Sequence, residues 1–365
     1  FGTLNLDELK LTSSGGGSTN DKILEALERE NPHYPVLSTI RTYRETYKLK
    51  HTFVDRLPDF VHRWPHDGRV HATLRTTRVV TGRLAASDPN MLAQPEHGKW
   101  ASEFKRGWVA EPGHVICQWD ESQVELRGLA HLSQDATLLA VYRGELRNPD
   151  GSFIDLHAKL AQRIFGGPIE QYMHKCAGRL AAKAINFGIP MGMTNRGLSV
   201  ELRKNGVEAD EDTAQRWLDE TLSLYTGVSS YMEERKEEAR RNGFVRCLSG
   251  RIRYIGGIRS RDDRVREEAE RFAFSTPIQE SATLVMKKAE KIVYEDILVP
   301  YWRQGRWVEP LLQVHDCLKL EAEESLAQEL NVLMTEAMTH MPIGFSVPLA
   351  VEGEYGYNMA DMRGF

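Results

Sequence analysis

In the segment Arg179-Leu-Ala-Ala-Lys183-Ala-Ile-Asn-Phe187-Gly188, two cations and an aromatic ring recur every four residues. On a helix of 3.6 residues per turn these side chains drift only ~40° per step and line one face over ~12 Å. A nucleoside triphosphate has that reach, needing cations for its phosphates and a ring face for its base. A solvated basic face on an Ala-rich helix is the alternative reading. Upstream, residues 115–119 (Val-Ile-Cys-Gln-Trp) have the content of a buried strand and deliver Asp120 just before residues 121–127, which read as helix. Far downstream, residues 310–314 and 318–322 look like paired strands with His315-Asp316-Cys317 at the turn. Either Asp alone reads as a turn or capping residue. Together, two carboxylates on adjacent strands beside a phosphate-gripping helix suit Mg²⁺, which takes a few carboxylates plus substrate phosphate oxygens. Two such ions activate an attacking hydroxyl and stabilise a leaving pyrophosphate, so the chemistry implied is nucleotidyl transfer.

The flanking sequence supplies elements to hold these groups. Residues 19–68 carry helical periodicity, with a start signal at Ser18-Thr19-Asn20-Asp21 and an apolar stripe of Ile23, Leu24 and Leu27. Pro190 removes a helical hydrogen bond and crowds the preceding turn, so the helix bearing Arg179 should kink or end near Gly188. A capped amphipathic helix is expected from 207 to 222, packing through Ala214, Trp217, Leu218 and Leu222. Residues 1–18, with Gly15-Gly16-Gly17, read as a lead-in or linker.

Bulk properties are permissive. At 365 residues and 41% hydrophobic, the chain can bury a large core and divide into two or three domains. It has no run of 18 apolar residues and no signal peptide, so no membrane partner is expected. Four scattered cysteines with no CxxC pair argue against a disulfide scaffold or a cysteine zinc site. The net charge of −5 does not point to nucleic acid, but arginines crowd residues 240–266 and could form a DNA-facing surface; a solvated helical face is the alternative.

The ordered set of motifs resembles the polymerase core of the family A (bacterial polymerase I-like) DNA polymerases. Asp120-Glu-Ser-Gln-Val-Glu-Leu-Arg127 looks like motif A, Arg179 to Gly188 like motif B, and Val314-His315-Asp316 like motif C. Thr81-Gly-Arg-Leu-Ala-Ala-Ser-Asp-Pro-Asn90, Asp155-Leu-His157, Pro277-Ile-Gln279 and Lys48 to Asp55 match further segments in the family's order. The resemblance implies an α/β (α+β) right-hand fold with an antiparallel palm sheet and mostly helical fingers and thumb. The expected divisions are thumb 19–68, palm 69–130, fingers 131–263 and palm again 264–365. It also implies two Mg²⁺ ions, for which Mn²⁺ substitutes, held by Asp120, Asp316 and the backbone carbonyl of Glu121. Arg179, Lys183 and His157 would grip the triphosphate, Lys183 either neutralising charge or giving a proton to departing pyrophosphate. Phe187 would pack on the incoming sugar and base. Glu125 would exclude a ribose 2′-hydroxyl as a steric gate, with Gln123 in the same pocket. Arg83, Arg271, Gln279 and His315 match positions at the primer terminus and minor groove, where shared acceptors report pairing geometry without reading sequence.

Several residues depart from the family pattern. Cys317 stands where motif C usually has Glu, Met191 where a Tyr is common near the templating base, Ser275 where the minor-groove set has Asn, Glu280 where Gly is usual and Glu121 where Tyr is usual. Residues 146–153 look like an extra turn-rich loop. The implied activity is template-directed addition of dNMPs to a primer 3′-hydroxyl, by a monomer acting on primer-template DNA and dNTPs. No room precedes the thumb for a 3′–5′ exonuclease domain, so proofreading by this chain is not expected, and any N-terminal domain or replication proteins would lie outside it. The expected location is the cytoplasm of a bacterium or virus-infected host cell, an organelle being the alternative. Competing readings are a reverse-transcriptase-capable or lesion-bypass variant of the same fold, and a non-catalytic nucleic-acid-binding module.

Overall fold

The computed structural model describes residues 19–64, 66–96, 98–147 and 154–365. The expected lead-in 1–18 and most of the expected loop at 146–153 lie outside the described residues. The chain divides into two compact units.

The first unit is Phe1–Arg75 with Ala85–Lys105. It contains α1 (Asp21–Glu30), α2 (Pro35–Leu49), α3 (Leu57–Arg63) and the antiparallel pair β1 (Thr73–Arg75) and β2 (Ala85–Ser87). Asn20, within the expected start signal, caps α1 by accepting the Ile23 N–H at 3.0 Å. Leu24 and Leu27 of the stripe are buried against Leu37. Arg41 of α2 fastens the two helices by pairing with Asp21 at 3.0 Å and Glu28 at 2.6 Å. The unit ends at Lys105, within the short α4 (Ala101–Arg106).

The second unit is Thr76–Leu84 with Arg106–Phe365. Its chain runs β3 (His114–Glu121), α5 (Val124–Ser133), α6 (Ala136–Tyr142), α7 (Leu156–Phe165), α8 (Ala177–Gly188), α9 (Asn195–Lys204), α10 (Glu211–Leu224) and α11 (Thr226–Asn242). The hairpin β4 (Phe244–Arg246) and β5 (Ile252–Tyr254) leads into α12 (Asp263–Ile292), then α13 (Val299–Arg303), β6 (Val308–Val314), β7 (Cys317–Glu323), α14 (Ala327–Thr339), β8 (Val351–Gly356) and β9 (Arg363–Gly364). The five-stranded sheet has order β6-β7-β3-β8-β9 and is antiparallel throughout.

Strand alternation explains how the sheet packs. Val115, Cys117 and Trp119 of β3, opposite Ala322, Leu320 and Leu318 of β7, share one apolar cluster with Val285, Met286 and Ala289 of α12 and Leu330 and Met334 of α14. Trp119 also donates its indole N–H to Asn331 at 2.9 Å, satisfying the one polar group that such burial would orphan. Gln118, Asp120, Lys319, Glu352 and Glu354 occupy the opposite parity in register. A second cluster joins α5 to the helices that follow: Leu126 and Leu129 pack with Leu160 of α7, Ala181 and Ile185 of α8, and Leu198 of α9.

The helix expected over 121–127 starts later. Glu121 stays in the ladder opposite Val351, Ser122 donates to Ala350 at 2.7 Å, and Gln123 turns the chain in a left-handed conformation with φ 55°, so α5 begins at Val124. Pairing on both sides of β3 holds these backbone groups more strongly than local helix propensity. The break expected near Gly188 is present, since α8 ends there, and the capped helix expected over 207–222 appears as α10, with Asp210 accepting the Thr213 N–H at 2.7 Å.

Truncating Leu330, which is 0% exposed, to Ala should destabilise the protein by about 2–5 kcal/mol. The same truncation at Val332 of the same helix, 65% exposed, should change stability by less than about 0.5 kcal/mol. Urea unfolding of both variants checks the contrast; equal losses would contradict the assigned core face.

Candidate active site

The two carboxylates singled out in the sequence are brought together by strand pairing. Asp120, the penultimate residue of β3, lies opposite Cys317 of β7, and the Glu121 N–H donates to the Asp316 carbonyl at 3.0 Å. Asp316 and His315 form the two-residue connection of the β6–β7 hairpin, where Val314 pairs with Cys317. His315 takes the left-handed conformation, φ 54°, which suits the twist of a tight hairpin although it is costly for a residue with a Cβ. Gln313 supports the turn by donating to the His315 carbonyl at 2.8 Å.

The electrostatics of this corner are strained. Burial first, then the charges of Asp316 and Glu352, push the Asp120 carboxyl up to about 6, with Lys319 pulling the other way. Glu121 is 1% exposed and neither carboxyl oxygen has a hydrogen-bond partner. Burial pushes it up to about 8 against the pull of Arg127, so it is mainly protonated at neutral pH. Arg127 spends its donors on the carbonyls of Ser122 at 2.8 Å and Pro348 at 2.5 Å.

Glu125, in the first turn of α5, is ion-paired with Arg83. Burial raises the Glu125 carboxyl, opposed by Arg83 and by the nearby His315, while Asp316 adds to the rise. Arg83 follows Gly82, whose φ is +82° and whose missing Cβ leaves room for the Arg251 guanidinium; a Cβ there would lie 2.7 Å from it. Arg251 in turn donates to the Val80 carbonyl at 3.3 Å. Gln123 accepts the Tyr142 hydroxyl at 2.8 Å.

A second constellation is built on α7 and α8. Ala181, Ala182 and Ile185 bury one side of α8, while Lys183 is exposed and Arg179 and Phe187 are half-buried on the other. The Lys183 ammonium lies 5.7 Å from the Phe187 ring centre, and the His157 ring lies 5.6 Å from it. Asp155 organises the group: one carboxylate oxygen caps α7 by accepting the N–H groups of His157 at 2.8 Å and Ala158 at 3.0 Å, and the other accepts Arg179 Nε at 3.2 Å. Burial would raise the Asp155 carboxyl, but these bonds outweigh it and hold it below its usual range. His157 is buried, and its Nδ1 meets the Asn186 amide nitrogen at 3.0 Å.

The remaining residues lie on α12 and the turn after α8. Gln279 donates to the Met191 sulfur at 3.2 Å, and the Arg271 side chain passes so close to Gly192 that a Cβ there would meet it at 3.2 Å. Ser275 is enclosed within α12. In the arginine-rich stretch many donors are committed internally: Arg240 pairs with Glu270 at 2.6 Å, Arg259 donates to the carbonyls of Arg240 and Arg241 at 2.9 Å, and Arg246 donates to Gly250 at 3.1 Å.

Sequence reasoning missed three contributors. Asp155 carried a signal as an N-cap immediately before Leu-His, and Asn186 lay inside the matched segment between Lys183 and Phe187. Glu352 carried none, because only the β3–β8 register sets it opposite Asp120. Among the described residues no group of three or more His, Cys, Asp or Glu side chains is arranged to hold a metal ion. The candidate donors at the sheet corner are the Asp120 and Asp316 carboxylates, hard ligands whose mutual repulsion a divalent cation would relieve. Cys317 Sγ, directed at the Leu318 carbonyl at 3.8 Å, is a soft atom that adds nothing to such a set.

No helix among the described residues is long and apolar enough to cross a membrane. A family model described as DNA polymerase family A matches residues 1–361. The thermostable DNA polymerase I of Thermus thermophilus is 37% identical over 364 residues, covering 98% of this chain and 40% of its own length. DNA polymerase I of Pseudomonas aeruginosa is 35% identical over 364 residues, covering 98% of this chain and 37% of its own length. The chain thus spans about two fifths of these relatives. The polymerase domain of Pol1 from M. smegmatis, solved in complex with DNA primer-template and dNTP, superposes with a TM-score of 0.83 at 31% identity over 99% of this chain and 59% of that one. The fold is that of a right-hand polymerase, and the chain belongs to DNA polymerase family A.

Proposed function

We propose that the protein is a template-directed DNA polymerase, adding dNMPs to a primer 3′-hydroxyl with release of pyrophosphate. The observation that carries the reading is the pairing of β3 with β7, which sets Asp120 and Asp316 at one corner of the sheet, bridged by the Glu121 N–H and the Asp316 carbonyl at 3.0 Å. Membership of a family whose relatives are named DNA polymerase I supports it.

In this reading residues 19–68 are the thumb, 69–130 and 264–365 the palm, and 131–263 the fingers. Asp120, Asp316 and the Glu121 carbonyl would hold two Mg²⁺ ions, or Mn²⁺ in their place. Such ions lower the pKa of the attacking hydroxyl and neutralise the charge that grows on pyrophosphate. Arg179 and Lys183 hold the triphosphate as fixed cations, His157 adds a directional contact, and Lys183 is placed to neutralise or protonate the leaving group. Phe187 packs on the incoming sugar and base. Glu125, with Gln123 beside it, fills the space of a ribose 2′-hydroxyl, and Arg83 fixes its carboxylate there until primer-template draws the guanidinium into the minor groove. Arg83, Arg271, Gln279 and His315 contact the primer terminus and duplex; Ser275, being enclosed, is not assigned a contact. The protein acts as a monomer in the cytoplasm.

Primer extension with Mg²⁺ tests the reading. The protein should extend with dNTPs and not with rNTPs, Asp316→Ala should lose roughly 10²-fold or more in rate, and Glu125→Ala should admit rNTPs. Absence of extension by the unaltered protein with primer-template binding retained would overturn the enzyme assignment.

Because burial and Asp316 push the Asp120 carboxyl up to about 6, protons compete with metal below that value and not above it. Mg²⁺ affinity of the free protein should fall as pH is lowered through about 6, which titration calorimetry at several pH values checks; a flat profile would contradict metal ligation by Asp120. Finally, Met191, a flexible thioether on a half-open surface, replaces a rigid ring. Met191→Tyr should lower single-nucleotide misinsertion severalfold, and equal misinsertion by the two proteins would refute the assigned role.

A further inference from the structure

His157, Asn186 and Tyr225 form a chain of hydrogen bonds between α7, α8 and the residue that joins α10 to α11. The Asn186 amide nitrogen lies 3.0 Å from His157 Nδ1, and the Tyr225 hydroxyl lies 3.3 Å from the Asn186 amide oxygen. All three are buried, at 5%, 2% and 4% exposure respectively. An amide NH₂ only donates, so the imidazole nitrogen facing it must be the bare, accepting one. Tyr225 closes the chain by donating to the amide oxygen. With Nδ1 accepting, the single proton of a neutral ring resides on Nε2, to which nothing among the described residues is hydrogen-bonded.

We propose that Asn186 and Tyr225 are positioning residues that lock His157 in its Nε2–H tautomer, so that it meets the triphosphate as a neutral donor beside two permanent cations. This rests on the reading above that His157 faces the triphosphate. The surroundings agree with a neutral ring. Burial is the largest influence and holds His157 down to about 4, with Arg179 and Lys183 of α8 acting in the same direction and Asp155 at the cap of α7 opposing them. Burial pushes the Tyr225 phenol well above its usual range, so it remains a donor. Among the other charges on elements packed against α7, Glu170 is exposed on the turn Ile169–Tyr172, and α10 carries Glu211, Asp212, Arg216, Asp219 and Glu220, the last engaged by Arg163 at 3.1 Å further along α7. Charge is thus supplied by Arg179 and Lys183, and direction by a neutral ring.

The test has two readouts. Two-bond ¹H–¹⁵N correlation spectra of histidine-labelled protein, with His157 assigned through His157→Gln, should show the Nε2–H tautomer throughout the neutral range. In Asn186→Asp the isosteric carboxylate accepts where the amide donated. The proton should move to Nδ1 and the ring pKa should rise. The KM for dNTP should then become pH-dependent, weakening roughly tenfold as the ring loses its second proton, while the KM of the unaltered protein stays flat over the same range. Tyr225→Phe, which removes only the hydroxyl, should give a mixed tautomer and a smaller rise in KM. An Nδ1–H tautomer in the unaltered protein, or an unchanged tautomer in Asn186→Asp, would overturn the proposal. A tautomer that switches as expected while the KM for dNTP of Asn186→Asp and of His157→Gln stays unchanged would instead overturn the triphosphate reading, and the positioning role with it.

Discussion

The antiparallel pairing of β3 with β7 is the constraint on which the site depends. Its register puts Asp120 opposite Cys317, so the hairpin residue just before Cys317 is Asp316, and two carboxylates nearly two hundred positions apart in sequence become neighbours. The ladder also enforces alternation. Trp119 and Leu318 must enter the apolar cluster for Asp120 to leave it, and a slip of one residue would bury the aspartate and expose the indole. The indole bond to Asn331 at 2.9 Å further fixes that register from the helical side. Catalytic geometry and core packing are therefore the same constraint viewed from two faces of one strand.

Stability and function pull apart at this corner. Crowding Asp120, on the open face of the sheet, beside Asp316 and Glu352 raises its carboxyl, and Glu121 is enclosed with both oxygens unpartnered. Crowded like charges, and a buried carboxyl without a partner, destabilise a fold unless something offsets them. A divalent cation would do so for the aspartates, and neutrality does so for Glu121. The α7–α8 constellation is tuned the opposite way, because Asp155 pairs with Arg179 and caps a helix with the same carboxylate, keeping the cation in place.

What the sequence disclosed follows from the range of the interactions involved. The four-residue recurrence of Arg179, Lys183 and Phe187 is a local helical property, and the break after Gly188 is written in Pro190. The turn expected at 315–317 was legible because both flanking strands are strongly apolar and short, although Cys317 pairs with Val314 as the first residue of β7. The start of α5 was not legible, since residues 121–123 carry helix-compatible side chains and only pairing with β7 and β8 keeps Glu121 in the sheet. Glu352 was invisible for the same reason: its place opposite Asp120 is set by β8, which joins the sheet after a long excursion. The family's pattern named Arg83 and Glu125 separately, but their ion pair is a tertiary fact that neither segment implies. The tautomer of His157 likewise depends on an asparagine one helix away and a tyrosine farther still.

The most direct test of the central claim is to count metal ions at the sheet corner. Mn²⁺ titration followed by electron paramagnetic resonance, with chain-terminated primer-template and the next dNTP bound, should give two ions for the unaltered protein. Asp120→Asn and Asp316→Asn should each lose metal while still binding primer-template. The same Mn²⁺ stoichiometry and affinity in all three proteins would show that the two aspartates are not the ligands, and the account of the site built on the β3–β7 pairing would fail.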